Sequence, residues 1–307
     1  MERCGPLDVV DVDSLAAFDC MVWLRTGDRA AERLACSQST VSRATRRCQE
    51  AFDVKLVKRD AEWHVIGDAC LLNAERHVHQ LHRWESGRPL RLETQFWLRD
   101  SYSDALLRGW LKGNLNYQDY SRPLQLLQER VIDAWICSTP DQPVDEAITA
   151  IPLCTMPTLL LARSNHPLLR QDKPLTIEMA RRFPMMPLPQ RAFPLFQAQL
   201  DRLGFHSDFT QLKSLADELG HDPCALEDLS LAIASPLTQS LNGNDWRALP
   251  LDLKIRKGEA LILHRDFADH PRTQHLIHDI GRHLRTLSAN HADVQVLTPV
   301  AVNGSSG

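Results

Sequence analysis

The residues best suited to chemistry are cations, and they are clustered. Between Arg25 and Arg59 stand nine of them, Arg25, Arg29, Arg33, Arg43, Arg46, Arg47, Lys55, Lys58 and Arg59, against the four anions Asp28, Glu32, Glu50 and Asp53. The chain as a whole is acidic, with 35 lysines and arginines facing 39 aspartates and glutamates over 307 residues. Such a molecule does not coat nucleic acid as a polycation, so any grip on phosphate must come from this patch. Ser37, Gln38, Ser39, Thr40 and Ser42 lie among the arginines, and hydroxyls and carboxamides are the groups that read base edges while arginine and lysine hold phosphates. Arg43 is the side chain expected to make a bidentate guanine contact, worth about 1–3 kcal/mol. By charge alone the same arginines could be a solvated helix face.

Positioning these groups requires a compact helical frame. Leu15, Phe18 and Val22 recur at helical spacing, Thr26-Gly27-Asp28 breaks the pattern, and Asp28 is placed to cap a second helix carrying Ala31 and Leu34. Ser37 is a good N-cap for a third helix, whose inward stripe is Val41, Ala44 and Cys48. Two helices joined by a short turn make a helix-turn-helix. Val54, Leu56 and the cations between them form one short β-type run, Trp63-His64-Val65-Ile66 a second, and Arg59-Asp60-Ala61-Glu62 the turn of a hairpin wing. Trp63 has two placements open to it, at the wing tip or packed against the following helix. That helix begins near Asp68, and Leu71, Ala74, Val78 and Leu81 give it a coiled-coil seam that calls for a second helix, from another copy of the chain. Ser86-Gly87-Arg88-Pro89 ends it and marks a domain boundary.

Strand-like segments at 90–97, 134–137, 158–162, 229–234 and 260–263 then alternate with helical ones at 103–112, 123–130, 177–182, 193–203 and 273–287, which predicts an α/β architecture with mostly parallel sheets. The proline-rich stretch at 183–189 reads as extended.

The run Arg29-Ala30-Ala31-Glu32-Arg33-Leu34 through Ser37-Gln38-Ser39-Thr40-Val41-Ser42-Arg43, followed by Arg46-Arg47 and the spaced Val54, Leu56 and Arg59, closely resembles the winged helix-turn-helix of LysR-type transcriptional regulators. Ile151-Pro152-Leu153 and Asn165-His166-Pro167-Leu168 extend the resemblance further along the chain. It implies a mixed fold: a mostly α winged helix-turn-helix at 1–67, a linker helix and hinge at 68–89, and an α/β effector domain of two subdomains at 90–290, similar to type 2 periplasmic binding proteins. Residues 291–307 are expected to form a disordered tail. DNA contact then falls to Arg29, Ser37, Gln38, Ser39, Thr40, Ser42, Arg43, Arg46, Arg47, Lys58 and Arg59. Two crossover strands, at 158–163 and 259–265, should join the subdomains around a cleft. The loops facing it contain Trp97, Arg99, Ser101, Ser138, Thr139, Gln190, Arg191 and Ser214, a set suited to a small anionic effector. Double-stranded DNA, a second or further copy of the chain and RNA polymerase are the expected partners, and no cofactor is called for. Two departures from the family stand out: Gly67-Asp68-Ala69-Cys70 opens the linker helix, and Asp228-Leu229-Ser230 replaces a Gly-x-Gly, so a side chain stands where backbone could approach a ligand. A regulator of this fold acting through protein contacts without a ligand is the alternative.

Other chemistries find little support. There is no G-x-S-x-G elbow, no phosphate-binding G-x-x-x-x-G-K-[ST] loop and no H-E-x-x-H, so an enzyme is not expected. His275, Asp279 and His283 share a helix face, which reads as solvated surface, and no metal site is expected. Eight scattered cysteines without a C-x-x-C pair read as packing residues, with Cys137, Cys154 and Cys224 too far apart in sequence to suggest a redox pair. The first eight residues carry no apolar run and no stretch is long enough to cross a bilayer, so the expected location is the cytoplasm.

Overall fold

The computed structural model describes residues 10–95, 106–113, 121–189, 192–208, 228–239, 243 and 245–297. Helices α1 (Val12–Leu24), α2 (Gly27–Arg33) and α3 (Gln38–Ala51) are followed by strands β1 (Lys55–Arg59) and β2 (Glu62–Ile66) and by helix α4 (Cys70–Glu85). Next come β3 (Leu90–Thr94), β4 (Trp110–Lys112), α5 (Ser121–Gln128) and β5 (Ala134–Thr139). Then follow β6 (Ile148–Pro157), β7 (Leu159–Arg163), α6 (Ile177–Ala180) and α7 (Pro194–Arg202). The described chain ends through β8 (Ala232–Ala234), β9 (Trp246–Ala248), β10 (Arg256–His264), α8 (Pro271–Leu287) and β11 (Gln295–Val296).

The chain divides into two compact units, one of residues 1–94, 102–116 and 121–135, the other of 95–101, 117–120 and 136–307. In the first unit α1 is the central post. Leu15, Phe18, Cys20, Trp23 and Leu24 are fully buried, and so is Asp19. A carboxylate removed from water is tolerated only when cations and donors meet it. Asp19 accepts from Arg76 Nε of α4 at 2.8 Å and from Arg91 Nη1 of β3 at 3.2 Å. Arg76 also reaches Glu129 at 3.1 Å, Arg83 clasps Asp133 through Nε and Nη2 at 3.1 and 2.9 Å, and Trp23 Nε1 donates to Glu93 at 2.7 Å. Within this unit these contacts join α1, α4, β3 and residues 129–133 in one ionic core.

Helix α4 turns its polar side inward. Arg76, His79, Gln80 and Arg83 are buried beside Leu72 and Trp84, whereas Leu71, Val78 and Leu81 are 70%, 58% and 43% exposed and Ala74 is exposed with them. Thr26, not Asp28, caps α2: its hydroxyl accepts from the Arg29 amide at 3.3 Å, because Gly27 and Asp28 are already helical. The helix expected at 103–112 is also corrected. Its described end is β4, parallel to β3 with Leu90 opposite Trp110, after Gly109 takes φ of 78° and breaks any helix.

In the second unit β6 and β10 run antiparallel in long register, from Arg256 opposite Pro157 to His264 opposite Ile148. The strands of this unit's larger sheet follow the order β11-β6-β10-β5, and β7 is flanked antiparallel by β8 and β9. The expectation of mostly parallel pairing fails here, because β6 pairs antiparallel with β10 and β11, and β7 antiparallel with both its neighbours. Residues 159–163, within the expected crossover, form β7 of the smaller sheet, while Ile151, Pro152 and Leu153 lie in β6 of the larger one. Gly258 is required in β10, since a Cβ there would lie 2.1 Å from the Cys154 carbonyl oxygen. Of the expected tail, residues 295–296 form β11 against β6, and 298–307 lie outside the described residues. A second core, with Phe183, Phe193, Phe196, Leu200 and Leu231 at its centre, packs α7 and the extended proline-rich stretch, where Met186 N donates to Leu231 O.

The ionic core of the first unit is the more vulnerable to substitution. Arg76→Met takes from Glu129 its ion-pair partner and leaves Asp19 paired only with Arg91, and should cost about 3 kcal/mol in urea unfolding, against less than about 0.5 for Arg46→Ala at the exposed pair Arg46–Glu50. In the second unit burial pulls the Lys257 ammonium down to about 8, against the upward pull of Glu259. Between pH 8 and the unfolded lysine's higher value the unfolded chain binds more protons, so this group's contribution to stability rises with pH. The difference in melting temperature between wild type and Lys257→Met should change across that window and be flat below it.

Candidate nucleic-acid interface and effector site

Helix α3 owes its placement to the contrast between its two faces. Val41, Ala44 and Cys48 are buried, and α3 packs by this face on α1 and α2, while Gln38, Ser39, Thr40, Ser42, Arg43, Arg46 and Arg47 all face water. Ala35 takes a left-handed φ of 51°, which turns the chain tightly between α2 and α3. Ser37 then caps α3, its hydroxyl accepting from the Thr40 amide at 3.1 Å and lying 2.9 and 2.8 Å from the hydroxyls of Ser39 and Thr40. The start of α3 therefore presents a connected row of hydroxyls with Gln38 beside it, and helix amides in the same turn suit a phosphate.

The cations differ in freedom. Arg29 is exposed on α2, Arg43 folds back to its own helix with Nε 3.3 Å from Ser39 O, and Arg46 pairs with Glu50 at 2.9 Å. Arg47 is tethered to α1, reaching Asp11 at 3.1 Å and Ser14 Oγ at 3.2 Å. Lys58 and Arg59 stand exposed at the end of β1, directly across from Trp63 and Glu62. Asp60 and Ala61, both left-handed with φ of 49° and 66°, close the hairpin. Trp63 is neither a free tip nor packed on the linker alone: its indole N–H donates to Arg25 O at 2.9 Å, and Lys58 Nζ sits 5.4 Å from the ring centroid.

Of the residues expected at the effector site, Trp97, Arg99, Ser101, Gln190, Arg191 and Ser214 lie outside the described residues. Ser138 and Thr139 end β5, both half-buried. The Ser138 amide donates to Gln95 Oε1 at 2.8 Å, and Thr139 Oγ1 would lie 3.1 Å from a Cβ on Gly258. Gln95 is fully buried, and its Nε2 has no hydrogen-bond partner among the described residues, a donor that buried polar groups rarely leave unused. Sequence reasoning missed Gln95; its position directly after a strand, on the path to Trp97, was the only signal.

The start of α7 is filled by a carboxylate of the chain itself. Phe193 gives α7 no side-chain cap, and the buried carboxylate of Asp141 accepts instead from Leu195 N at 2.7 Å and Phe196 N at 3.1 Å. Burial raises the Asp141 carboxyl above the ordinary aspartate value, with the two amide bonds pulling the other way. Cys137 and Cys154 are buried, and desolvation pushes both thiols up, which keeps them protonated and unreactive. Cys224 lies outside the described residues. Among the described residues no group of three or more His, Cys, Asp or Glu could hold a metal ion, and no helix is long and apolar enough to cross a membrane.

Comparison with known proteins agrees with this layout. A family profile described as the bacterial regulatory helix-turn-helix protein, lysR family, matches residues 12–65, and one described as the LysR substrate binding domain matches 113–285. A probable transcriptional regulator from Pseudomonas aeruginosa is 17% identical, with 88% of this chain and 96% of that one covered and a TM-score of 0.52. A cysteine mutant of OxyR from Corynebacterium glutamicum is 14% identical over 92% of this chain and 94% of that one, with a TM-score of 0.49. A full-length OxyR variant from Pseudomonas aeruginosa is 13% identical over 89% and 98%, with a TM-score of 0.49. Among curated proteins none matches the chain. The substrate-binding profile spans more than half of the 307 residues and the helix-turn-helix profile takes in all of α3, so the chain belongs to the LysR-type transcriptional regulators, DNA-binding proteins with a substrate-binding domain.

Proposed function

We propose that α3 reads the major groove, with Gln38, Ser39, Thr40, Ser42 and Arg43 toward base edges and Arg29, Arg46, Arg47, Lys58 and Arg59 on phosphates. Ser37 acts chiefly by capping the helix. The observation that carries this is the wholly exposed polar face of α3 above its buried stripe. Two copies pair through Leu71, Ala74, Val78 and Leu81 of α4, an apolar stripe that a single chain leaves in water, and the pair spans two half-sites about one helical turn, or a multiple of it, apart. The working boundaries are a DNA-binding domain at 1–67, a linker at 68–89 and a regulatory domain at 90–290. A small anionic effector is recognised by Gln95, Ser138 and Thr139, completed by Trp97, Arg99, Ser101, Gln190, Arg191 and Ser214. The protein works in the cytoplasm, where RNA polymerase is its downstream partner.

One observation favours the second reading, a regulator of this fold that needs no ligand. Asp141 already supplies a carboxylate to the amides of α7, so this helix start requires no outside anion.

Fluorescence anisotropy on the duplex upstream of the protein's own gene, over a salt series and against an unrelated duplex, tests the DNA reading. Binding should be specific and should weaken steeply with salt, and Arg43→Ala should lose about 1–3 kcal/mol of preference for the upstream duplex. Equal affinity of the wild type for both duplexes would place its sites elsewhere in the genome, whereas an unchanged preference in Arg43→Ala would remove that residue from base reading. For the seam, Val78→Asp should shift the mass found by light scattering from dimer or higher to monomer while leaving helix content intact, because the residue is exposed in the single chain.

A further inference from the structure

Arg122 belongs to α5, inside the stretch matched by the substrate-binding profile, yet its guanidinium is spent on the wing of the DNA-binding domain. The side chain is 9% exposed. Its Nη2 donates to the carbonyl of Trp63, its Nε lies 3.6 Å from Glu62 Oε2, and its Nη1 donates to Gln125 Oε1 at 2.7 Å. Glu62 is shared with Arg25 at the end of α1, whose carbonyl also takes the Trp63 indole N–H. Glu62 and Trp63 are the direct cross-strand partners of Arg59 and Lys58. A two-stranded hairpin is marginal by itself, so what fixes β2 at these two residues also fixes the opposite residues of β1.

We infer that Arg122 is a positioning residue for DNA binding: from the regulatory part of the chain it holds Glu62 and Trp63, and so aims Lys58 and Arg59 at the phosphate backbone. The inference rests on the reading of Lys58 and Arg59 as phosphate contacts. Arg122 touches no DNA in this scheme. It acts only through the hairpin, and all of its partners lie in the same compact unit.

The test uses the full chain on its upstream duplex, with anisotropy read at roughly 50 to 200 mM salt, the range over which such contacts are lost. Arg122→Ala should weaken binding about tenfold at low salt and flatten the salt dependence by about two phosphate contacts, while keeping the preference for the upstream duplex. Arg122→Lys, which keeps the charge, should recover part of the loss. In a chain that already carries Lys58→Ala and Arg59→Ala, Arg122→Ala should change nothing further, a non-additivity that general destabilisation would not produce. Should Arg122→Ala fail to fold by circular dichroism, Glu62→Gln removes the same ion pair from the hairpin side and should flatten the salt dependence equally. Additive losses, or a salt dependence unchanged in folded Arg122→Ala or Glu62→Gln, would overturn the inference while leaving the wing contacts standing. Wild-type behaviour of Lys58→Ala/Arg59→Ala would instead sink the wing reading, and the inference with it.

Discussion

Asp19 is a carboxylate with no access to water, and most of the first unit can be understood as the arrangement that makes this tolerable. Two arginines must reach it, one from α4 and one from β3, and Arg76 must then satisfy Glu129 as well. A lone buried charge costs several kcal/mol, and its pairing repays that only in a narrow geometry. The angle of α4 to α1 and the approach of β3 are therefore not free to drift. Phe18, Trp23, Leu72 and Trp84 supply the apolar packing of the same core, which is not directional, whereas the ion pairs are.

The division of labour among arginines follows from water. Arg76, Arg83 and Arg91 are enclosed, each shares its donors among carboxylates and carbonyls, and salt screens such pairs little. Arg29, Arg43 and Arg46 are in solvent, where ion pairs such as Arg46–Glu50 contribute little to stability. Arg122 and Arg25 sit between these extremes, close enough to the surface to act on the hairpin and buried enough to hold it still.

The helix-turn-helix was legible because its signals are local. Ser37 at a cap, Val41, Ala44 and Cys48 at helical spacing, and a cation-rich hairpin all depend on neighbours within one or two turns, and the structure places them as their spacing demands. What sequence reading missed depends on distant partners. β6 is a ten-residue strand interrupted by Pro152, and only its register with β10 makes it one. Gly109 turns an apparently helical segment into the edge strand β4. Asp141 reaches across more than fifty residues to cap α7, and Gln95, just after β3, takes the Ser138 amide; neither contact leaves a periodic trace. The apolar positions on one side of α4 were legible, but not that the opposite face is charged and enclosed, since a pattern of apolar positions does not say where its polar residues go.

That inversion of α4 bears on when its contacts can be completed during synthesis. The helix buries Leu72 and Trp84 but leaves Leu71, Val78 and Leu81 in water, so its own apolar surface seats it only in part. The rest comes from carboxylates, Asp19 from before it and Glu129 and Asp133 from well after it. The pairs of Arg76 with Glu129 and of Arg83 with Asp133 can form only once the chain has emerged beyond residue 133. Until then Arg83 lacks the Asp133 carboxylate that holds it. Where the acidic partners lie along the sequence thus sets the earliest point at which a nascent chain can complete this ionic core.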